Sequence, residues 1–168
     1  MLPRLDTAGA TDKGGQNDQA MNATRVSYTL DSTLETVNKA EETALAIAAK
    51  SGFDEDEVQR IAMAVREATV NAVLHGNAYD PNKRVTVSFE TSDDALTVSV
   101  RDEGKGLAPE EIPDPLAPEN LLKQSGRGIF LIRAFMDEVR FRNMDPGTEI
   151  TLIKHVSGAD RDGKEASK

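Results

Sequence analysis

The sequence predicts an α+β fold, a two-layer sandwich in which helices pack on one face of a mostly antiparallel sheet. Five short segments alternate apolar and polar residues, which is typical of strands with one buried face. Four of these segments form two pairs joined by polar turns, which predicts antiparallel hairpins. Two longer segments repeat their apolar residues at the spacing of an α-helix.

The first strand and the first helix follow a polar N-terminal stretch. Alternation at Val26, Tyr28 and Leu30 predicts the strand. We expect Asp31-Ser32 to cap the helix and Gly52 to end it. The apolar side of this helix carries Leu34, Val37, Ala44, Leu45 and Ala48.

The second helix begins at an acidic run. Asp54 and Glu57 have the spacing of a capping box, and their negative charge suits the positive end of the helix dipole. Gly76 and Pro81 are expected to end this helix. Its apolar side carries Val58, Ile61, Ala62, Val65, Ala68, Thr69 and Ala72.

Two hairpins, an irregular segment and a third helix complete the domain. Ser92-Asp93-Asp94 joins the strands of the first hairpin, and Asp145-Pro146-Gly147 supplies the turn of the second. Residues 107–125 hold four of the seven prolines, which is typical of a functional or disordered loop. A helical pattern resumes at residues 128–136. The alternating residues of the hairpins are Val85, Val87, Phe89, Leu96, Val98, Val100, Val139, Phe141, Ile150 and Leu152.

Composition narrows the possible classes of function. The 168 residues include no Cys and no apolar run long enough to cross a bilayer, so we expect a cytoplasmic protein. A net charge of −9 argues against nucleic-acid binding, which needs a dense basic face. We expect one folded domain at residues 23–156, between a disordered arm at residues 1–22 and a disordered tail at residues 157–168.

Glu67, Asn71 and His75 recur at every fourth residue, so they form one stripe of the second helix. A stripe of this kind can be an ordinary solvated face. It also provides groups that phosphoryl transfer needs, because an Asn71 oxygen suits Mg²⁺ and the Glu67 carboxylate can accept a proton from a hydroxyl. His75, beside Gly76, is interpreted as a residue that caps the helix end or forms a local hydrogen bond.

Asp102 follows directly after a predicted strand, and Gly104 and Gly106 follow it. The carboxylate can accept a hydrogen bond from the exocyclic amine of adenine. The two glycines permit a positive φ angle and leave room for a flat ring. An ordinary loop after a strand is the alternative interpretation.

Gly126, Arg127 and Gly128 open the last helix, where backbone N–H groups favour phosphates and Arg127 adds positive charge. A glycine pair before a helix can equally be a cap. The hydroxyl of Thr148 can assist Asp102, although a β-branched residue at a strand start needs no function. The chain has no G-x-x-x-x-G-K-[ST] motif, so a nucleotide site here is not a P-loop.

In this order, these motifs resemble those of the GHKL (Bergerat-fold) ATPases, and within them the RsbW-type anti-sigma-factor serine/threonine kinases. The resemblance covers nearly all of residues 25–155. It implies the Bergerat, or histidine-kinase-like, ATPase fold. The matching segments are an N box (Glu67-x-x-x-Asn71-Ala72-x-x-His75-Gly76), a G1 box (Asp102-x-Gly104-x-Gly106), a G2 box (Ser125-Gly126-Arg127-Gly128-Ile129) and the pair Gly147-Thr148.

The resemblance implies a role for each of the matching residues. It implies that Glu67 is the catalytic base, that Asn71 is the Mg²⁺ ligand, and that Asp102 holds the adenine amine. Residues 107–125 would form the ATP lid. The other residues implied in ATP binding are Gly104, Gly106, Gly126, Arg127, Gly128 and Thr148.

The resemblance also implies partners. Members of the family are typically homodimers that bind a sigma factor and phosphorylate a STAS-domain antagonist on Ser or Thr, with ATP and Mg²⁺. The alternative is a nucleotide-binding partner switch, similar to RsbT-like regulators of a phosphatase, without significant kinase turnover.

Two other classes of protein fit the sequence poorly. A sensor histidine-kinase domain usually has Lys-Tyr or Lys-Phe where this chain has His75-Gly76. A metal hydrolase is disfavoured because the two histidines, His75 and His155, lack the spacing of metal ligands.

Overall fold

The structure is a computed structural model that describes residues 23–106 and 124–157, with the backbone alone at residues 124–127. The predicted N-terminal arm, the predicted tail beyond Ser157 and residues 107–123 of the predicted lid lie outside the described residues.

The described residues form five strands, three α-helices and one π-helical turn. None of these helices combines the length and the apolar character that crossing a membrane requires. In chain order the elements are β1 (Thr24–Asp31), α1 (Leu34–Lys50), α2 (Glu55–Val70), the π-helical turn (Asn71–Gly76), β2 (Arg84–Thr91), β3 (Ala95–Arg101), α3 (Gln124–Phe135), β4 (Glu138–Asn143) and β5 (Thr148–His155).

The five strands form one sheet in the order β1-β2-β3-β5-β4, and each neighbouring pair is antiparallel. Both predicted hairpins are therefore confirmed, as β2–β3 and β4–β5. The helices cover one face of the sheet and exclude water from its alternating apolar residues. This confirms the α+β fold. The strand residues on that face with at most 1% exposure are Val85, Val87, Phe89, Leu96, Val98, Val100 and Leu152.

The predicted cap of α2 is confirmed. Asp54 has an extended backbone, and its Oδ1 accepts a hydrogen bond of 2.8 Å from the N–H of Glu57. Three acidic residues in the first turn add negative charge at the positive end of the helix dipole. This cap fixes where α2 begins. The N-box residues lie at the C-terminal end of the same helix and in the turn that follows it.

The predicted cap of α1 is wrong, because Thr33 and not Asp31-Ser32 caps this helix. Thr33 has an extended backbone, and its hydroxyl accepts a hydrogen bond of 3.3 Å from the N–H of Thr36. Asp31 still belongs to β1, where it pairs with Arg84. Ser32 is buried, and its hydroxyl donates to the carbonyl of Lys83 at 2.6 Å. The first hydroxyl available to the helix therefore belongs to Thr33.

The end of α2 also differs from a regular α-helix. From Asn71 to Gly76 the backbone is π-helical, and the N–H of Asn77 donates to the carbonyl of Ala72, five residues earlier, at 2.8 Å. The wider turn rotates the side chains that follow Asn71 away from a straight α-helical stripe. Such turns often occur at functional sites. This one runs through the predicted N box.

Candidate functional site

A cavity of about 320 Å³ lies between the π-helical turn, the end of β3, the start of β5 and α3. Most of its lining is apolar, with a small number of polar groups, which is the usual composition of a small-molecule site. The apolar lining residues are Ala68, Ala72, Val100, Ile129, Phe141 and Ile150, the glycines are Gly76 and Gly106, and the polar residues are Asn71, His75, Asp102, Lys105 and Thr148.

Asp102 supplies a buried carboxylate to this cavity and is 7% exposed. Its Oδ1 accepts hydrogen bonds from the N–H groups of Gly104, at 2.9 Å, and of Thr148, at 3.3 Å. The N–H of Asp102 donates to the carbonyl of Thr148 at 2.9 Å. Both bonds to the carboxylate end on Oδ1, so within the described residues Oδ2 is left to accept a hydrogen bond from a bound molecule.

Burial raises the pKa of Asp102, because an apolar surrounding disfavours the charged carboxylate. The N–H groups of Gly104 and Thr148 and the positive charges of Lys83 and Arg101 oppose this effect only in part. Ionisation of Asp102 therefore lowers the stability of the folded protein, and the fold nevertheless retains this carboxylate. A group kept at such a cost is a candidate for function.

This raised pKa predicts how stability depends on pH. The folded state holds the Asp102 proton more tightly than the unfolded state, so the wild type should lose stability relative to Asp102→Asn as pH rises from about 3.9, the ordinary Asp value, through the raised pKa. Above that range the difference should be constant. Urea unfolding of both proteins across this pH range measures it. A difference that grows in favour of the wild type with rising pH would contradict the assignment.

Glycines enclose Asp102 on several sides. A Cβ atom on Gly76 would overlap the Asp102 carboxylate, and one on Gly147 would overlap its backbone carbonyl. Gly104 does not line the cavity, because it packs against the backbone of Gly76. Gly106 lines the cavity and has a φ angle of +85°, which favours glycine. The close packing of these glycines fixes the position of the Asp102 carboxylate. Of the two glycines in the predicted G1 box, Gly104 packs against the backbone and Gly106 lines the cavity.

A second group of predicted residues meets around Gly128. A Cβ atom there would lie 2.9 Å from Glu67 Oε1 and 3.9 Å from both polar side-chain atoms of Asn71. The helix α3 therefore passes directly against Glu67 and Asn71, where only glycine fits without a shift. Asn71 lines the cavity, whereas Glu67 lies beside it.

The structure brings together most of the predicted site residues. Thr148 lines the cavity, and its backbone N–H donates a hydrogen bond to Asp102. The sequence had instead indicated that the Thr148 hydroxyl assists Asp102. Gly126 and Arg127 lie in the first turn of α3, where the structure describes the backbone alone. Their predicted role at phosphates therefore stays a prediction.

Sequence reasoning missed two polar residues of the cavity. A helix-end role was preferred for His75 over a position facing a cleft, but the structure places it in the cavity wall. Its position in the stripe with Asn71 was the signal. Lys105 also lines the cavity, and its position between two glycines of the predicted loop could have indicated this. Its ammonium group gives an acidic protein a positive charge at the site.

Comparisons with known proteins agree with the geometry. The family model described as "Histidine kinase-like ATPase domain" matches residues 30–154. The serine-protein kinase RsbW of Bacillus subtilis (strain 168) is 32% identical over 122 residues, which are 69% of this chain and 76% of the relative. The anti-sigma F factor of Geobacillus kaustophilus (strain HTA426) is 39% identical over 107 residues, or 61% of this chain and 72% of the relative.

A solved structure supports the same fold. It contains the RsbU and RsbW domains of Rv1364c from Mycobacterium tuberculosis, with a TM-score of 0.57 and 23% identity. The match covers 78% of this chain and 31% of that chain, so the present chain spans about a third of the two-domain structure. The family model and the relatives confirm the resemblance drawn from the motifs. The chain belongs to the histidine kinase-like (GHKL) ATPase family, in the branch that contains RsbW and the anti-sigma F factors.

Proposed function

We propose that this chain is a Mg-ATP-dependent serine/threonine protein kinase and anti-sigma factor. It binds a sigma factor and phosphorylates a STAS-domain anti-anti-sigma partner. One observation carries the proposal: Glu67 and Asn71 meet Gly128 beside an apolar cavity that also contains the buried Asp102 carboxylate. The names of the relatives, a serine-protein kinase and anti-sigma F factors, support the same activity.

The adenine base occupies the apolar part of the cavity. Its exocyclic amine donates a hydrogen bond to Oδ2 of Asp102, while Oδ1 remains bonded to Gly104 and Thr148. Val100 and Ile150 provide apolar contacts for the ring, and Gly106 leaves room beside it. The carboxylate therefore selects a base that carries an amine at this position.

The phosphates extend towards Asn71 and the start of α3. Backbone N–H groups of Gly126 and Arg127 and the charge of Lys105 favour them. The donor set fits Mg²⁺, because Asn71 offers a hard carboxamide oxygen and Mg²⁺ commonly binds one or two protein ligands plus phosphates. Among the described residues, no three His, Asp or Glu side chains form a metal cluster. When bound, Mg²⁺ neutralises charge on the phosphates.

Glu67 is the general base of the transfer. Its carboxylate accepts the proton of the partner's Ser or Thr hydroxyl, whose oxygen then bonds to the γ-phosphorus. The bond from the γ-phosphorus to the bridging oxygen breaks, and ADP leaves with that oxygen. The contact with Gly128 keeps Glu67 next to the helix that holds the phosphates.

A size measurement in solution tests the partners. We expect the purified chain to have the mass of two copies by light scattering. It should co-elute with a sigma factor of the source organism in Mg-ATP, and addition of the unphosphorylated STAS protein should release that sigma factor. A monomer mass at all concentrations would contradict the homodimer. Failure of every sigma factor to co-elute would contradict the anti-sigma role.

Replacing Gly76 by Ala should weaken ATP binding by about tenfold or more, since the new Cβ overlaps the Asp102 carboxylate and small displacements of such groups are costly. Gly52→Ala is the matched control. Gly52 lies far from Asp102 and has a positive φ angle of +94°, and its Cβ would meet only the side chain of Val156, so this variant should lose stability and keep its ATP affinity. Titration calorimetry and thermal melts measure both. Unchanged ATP affinity in Gly76→Ala would contradict the placement of the base.

A further inference from the structure

Asn77 follows the π-helical turn and is 1% exposed. Both ends of its carboxamide form hydrogen bonds. Its Oδ1 accepts from the N–H of Glu103 at 2.8 Å. Its Nδ2 donates to the hydroxyl of Ser32 at 2.8 Å and to the carbonyl of Arg84 at 3.0 Å. One buried side chain thus connects three segments that are distant in the sequence.

Two further bonds close the network around Asn77. The hydroxyl of Ser32 donates to the carbonyl of Lys83 at 2.6 Å, and Oε1 of Glu103 accepts from the N–H of Arg84 at 2.8 Å. The network joins the β1–α1 junction, the end of the π-helical turn, the start of β2 and the loop after β3. A satisfied hydrogen-bond network that is centred on a buried side chain makes its surroundings rigid. No buried side-chain N or O atom of the described residues lacks a partner.

The loop held by this network carries Asp102. Glu103, whose N–H bonds to Asn77, is the next residue, and the N–H of Gly104 bonds to the Asp102 carboxylate. Gly104 also packs against the backbone of Gly76, the residue before Asn77. The turn after β3 is therefore fixed twice to the end of the π-helical turn, once by packing and once by the Asn77 carboxamide.

We infer that Asn77 is a positioning residue for adenine recognition, which holds the Asp102-Glu103-Gly104 turn where Oδ2 of Asp102 meets the amine. This inference rests on the proposed function. Asn77 is not among the residues that line the cavity, so it acts on the nucleotide through the turn. A displacement of the turn weakens the bond to the amine and leaves the apolar contacts of the ring in place.

Binding of ATP and of inosine triphosphate (ITP), which lacks the amine, separates this role from a purely structural one. We expect the wild type to prefer ATP, and Asn77→Ala to bind ATP about tenfold or more weakly while its affinity for ITP changes little. Asn38→Ala is the matched control, because Asn38 is exposed on α1 and its Oδ1 accepts a hydrogen bond of 3.1 Å from Arg66. If Asn77→Ala has a lower melting temperature but keeps the wild-type ratio of ATP affinity to ITP affinity (the ATP-to-ITP ratio), the inference is overturned.

A pair of variants at the exposed Glu103 gives a second test that does not depend on a buried substitution. Glu103→Ala removes the acceptor for the N–H of Arg84 and should lower the ATP-to-ITP ratio, whereas Glu103→Gln retains an acceptor and should restore it. Equal ratios in both variants would overturn the inference. A wild type that binds no ATP would overturn the proposed function and this inference together, whereas ATP selectivity retained in Asn77→Ala overturns the inference alone.

Discussion

Replacing Glu67 by Gln is expected to slow phosphoryl transfer by about 10²–10⁴-fold, the usual contribution of a general base. Gln has nearly the same size, so the contact with Gly128 should be preserved, but its amide cannot accept the hydroxyl proton. Glu67 does not line the cavity, so ATP affinity should change by a factor of about three or less. Single-turnover transfer to the STAS-domain partner and separate binding titrations measure the two effects.

Glu42→Gln is the matched control for Glu67→Gln. Glu42 is exposed on α1, and the substitution removes the same charge from the protein away from the cavity. Its transfer rate should equal that of the wild type. If Glu67→Gln transfers phosphate at the rate of this control, the assignment of the base is wrong. If both fall equally, the loss reflects net charge.

Replacing Asp102 by Asn is expected to weaken ATP binding by about 10–100-fold, since a hydrogen bond to a charged group contributes about 1.5–3 kcal/mol. The Asn carboxamide can still accept from Gly104 and Thr148 through its oxygen, but it then presents an N–H group to the adenine amine. ITP carries a carbonyl at that position, which can accept a hydrogen bond from the Asn N–H group. Its affinity for the variant should therefore equal or exceed its affinity for the wild type. Calorimetry with both nucleotides measures the change in preference.

Asp94→Asn controls for the loss of one negative charge. Asp94 is exposed in the β2–β3 turn, at the opposite end of β3 from Asp102. It should keep the nucleotide preference of the wild type. The same ATP-to-ITP ratio in Asp102→Asn as in this control would show that the carboxylate does not contact the amine.

Local patterns were sufficient to predict most of the fold. Alternation at Val85, Val87 and Phe89 reports directly on which strand face is buried, because the side-chain period of a strand is two. The cap at Asp54 depends on groups within three residues of it, so the sequence contains all of its partners. Such features need no knowledge of the tertiary structure.

Features that depend on distant partners were not predicted. Ser32 has the residue type of a cap, but its hydroxyl bonds to Lys83 and Asn77, 51 and 45 residues away. The π-helical turn is a different case, because its backbone hydrogen bonds join residues that are close in the sequence. The residue types of Asn71–Gly76 nevertheless do not distinguish it from the end of an α-helix. Asn77 bonds to Ser32 and Glu103, 45 and 26 residues away, and to Arg84, seven residues on, so the residues next to it do not indicate its role.

The candidate site was predicted in part. Asp102, Asn71, Gly106 and Thr148 line one cavity, and the strand ends and glycines that singled them out have recognisable positions in the sequence, while their roles stay predictions. The meeting of Gly128 with Glu67 depends on how α3 packs on α2, which no local pattern contains. His75 lines the cavity together with Asn71, and both lie in the π-helical turn, which the sequence did not indicate.

The most direct test of the kinase is phosphoryl transfer in an extract of the source cells. Purified wild type or Glu67→Gln is added with Mg²⁺ and γ-labelled ATP, and labelled proteins are identified by mass spectrometry. The proposed function predicts a small STAS-domain protein labelled on Ser or Thr with the wild type and not with the variant. ATP binding without any labelled protein, or equal labelling by both, would contradict it and favour a nucleotide-dependent partner switch.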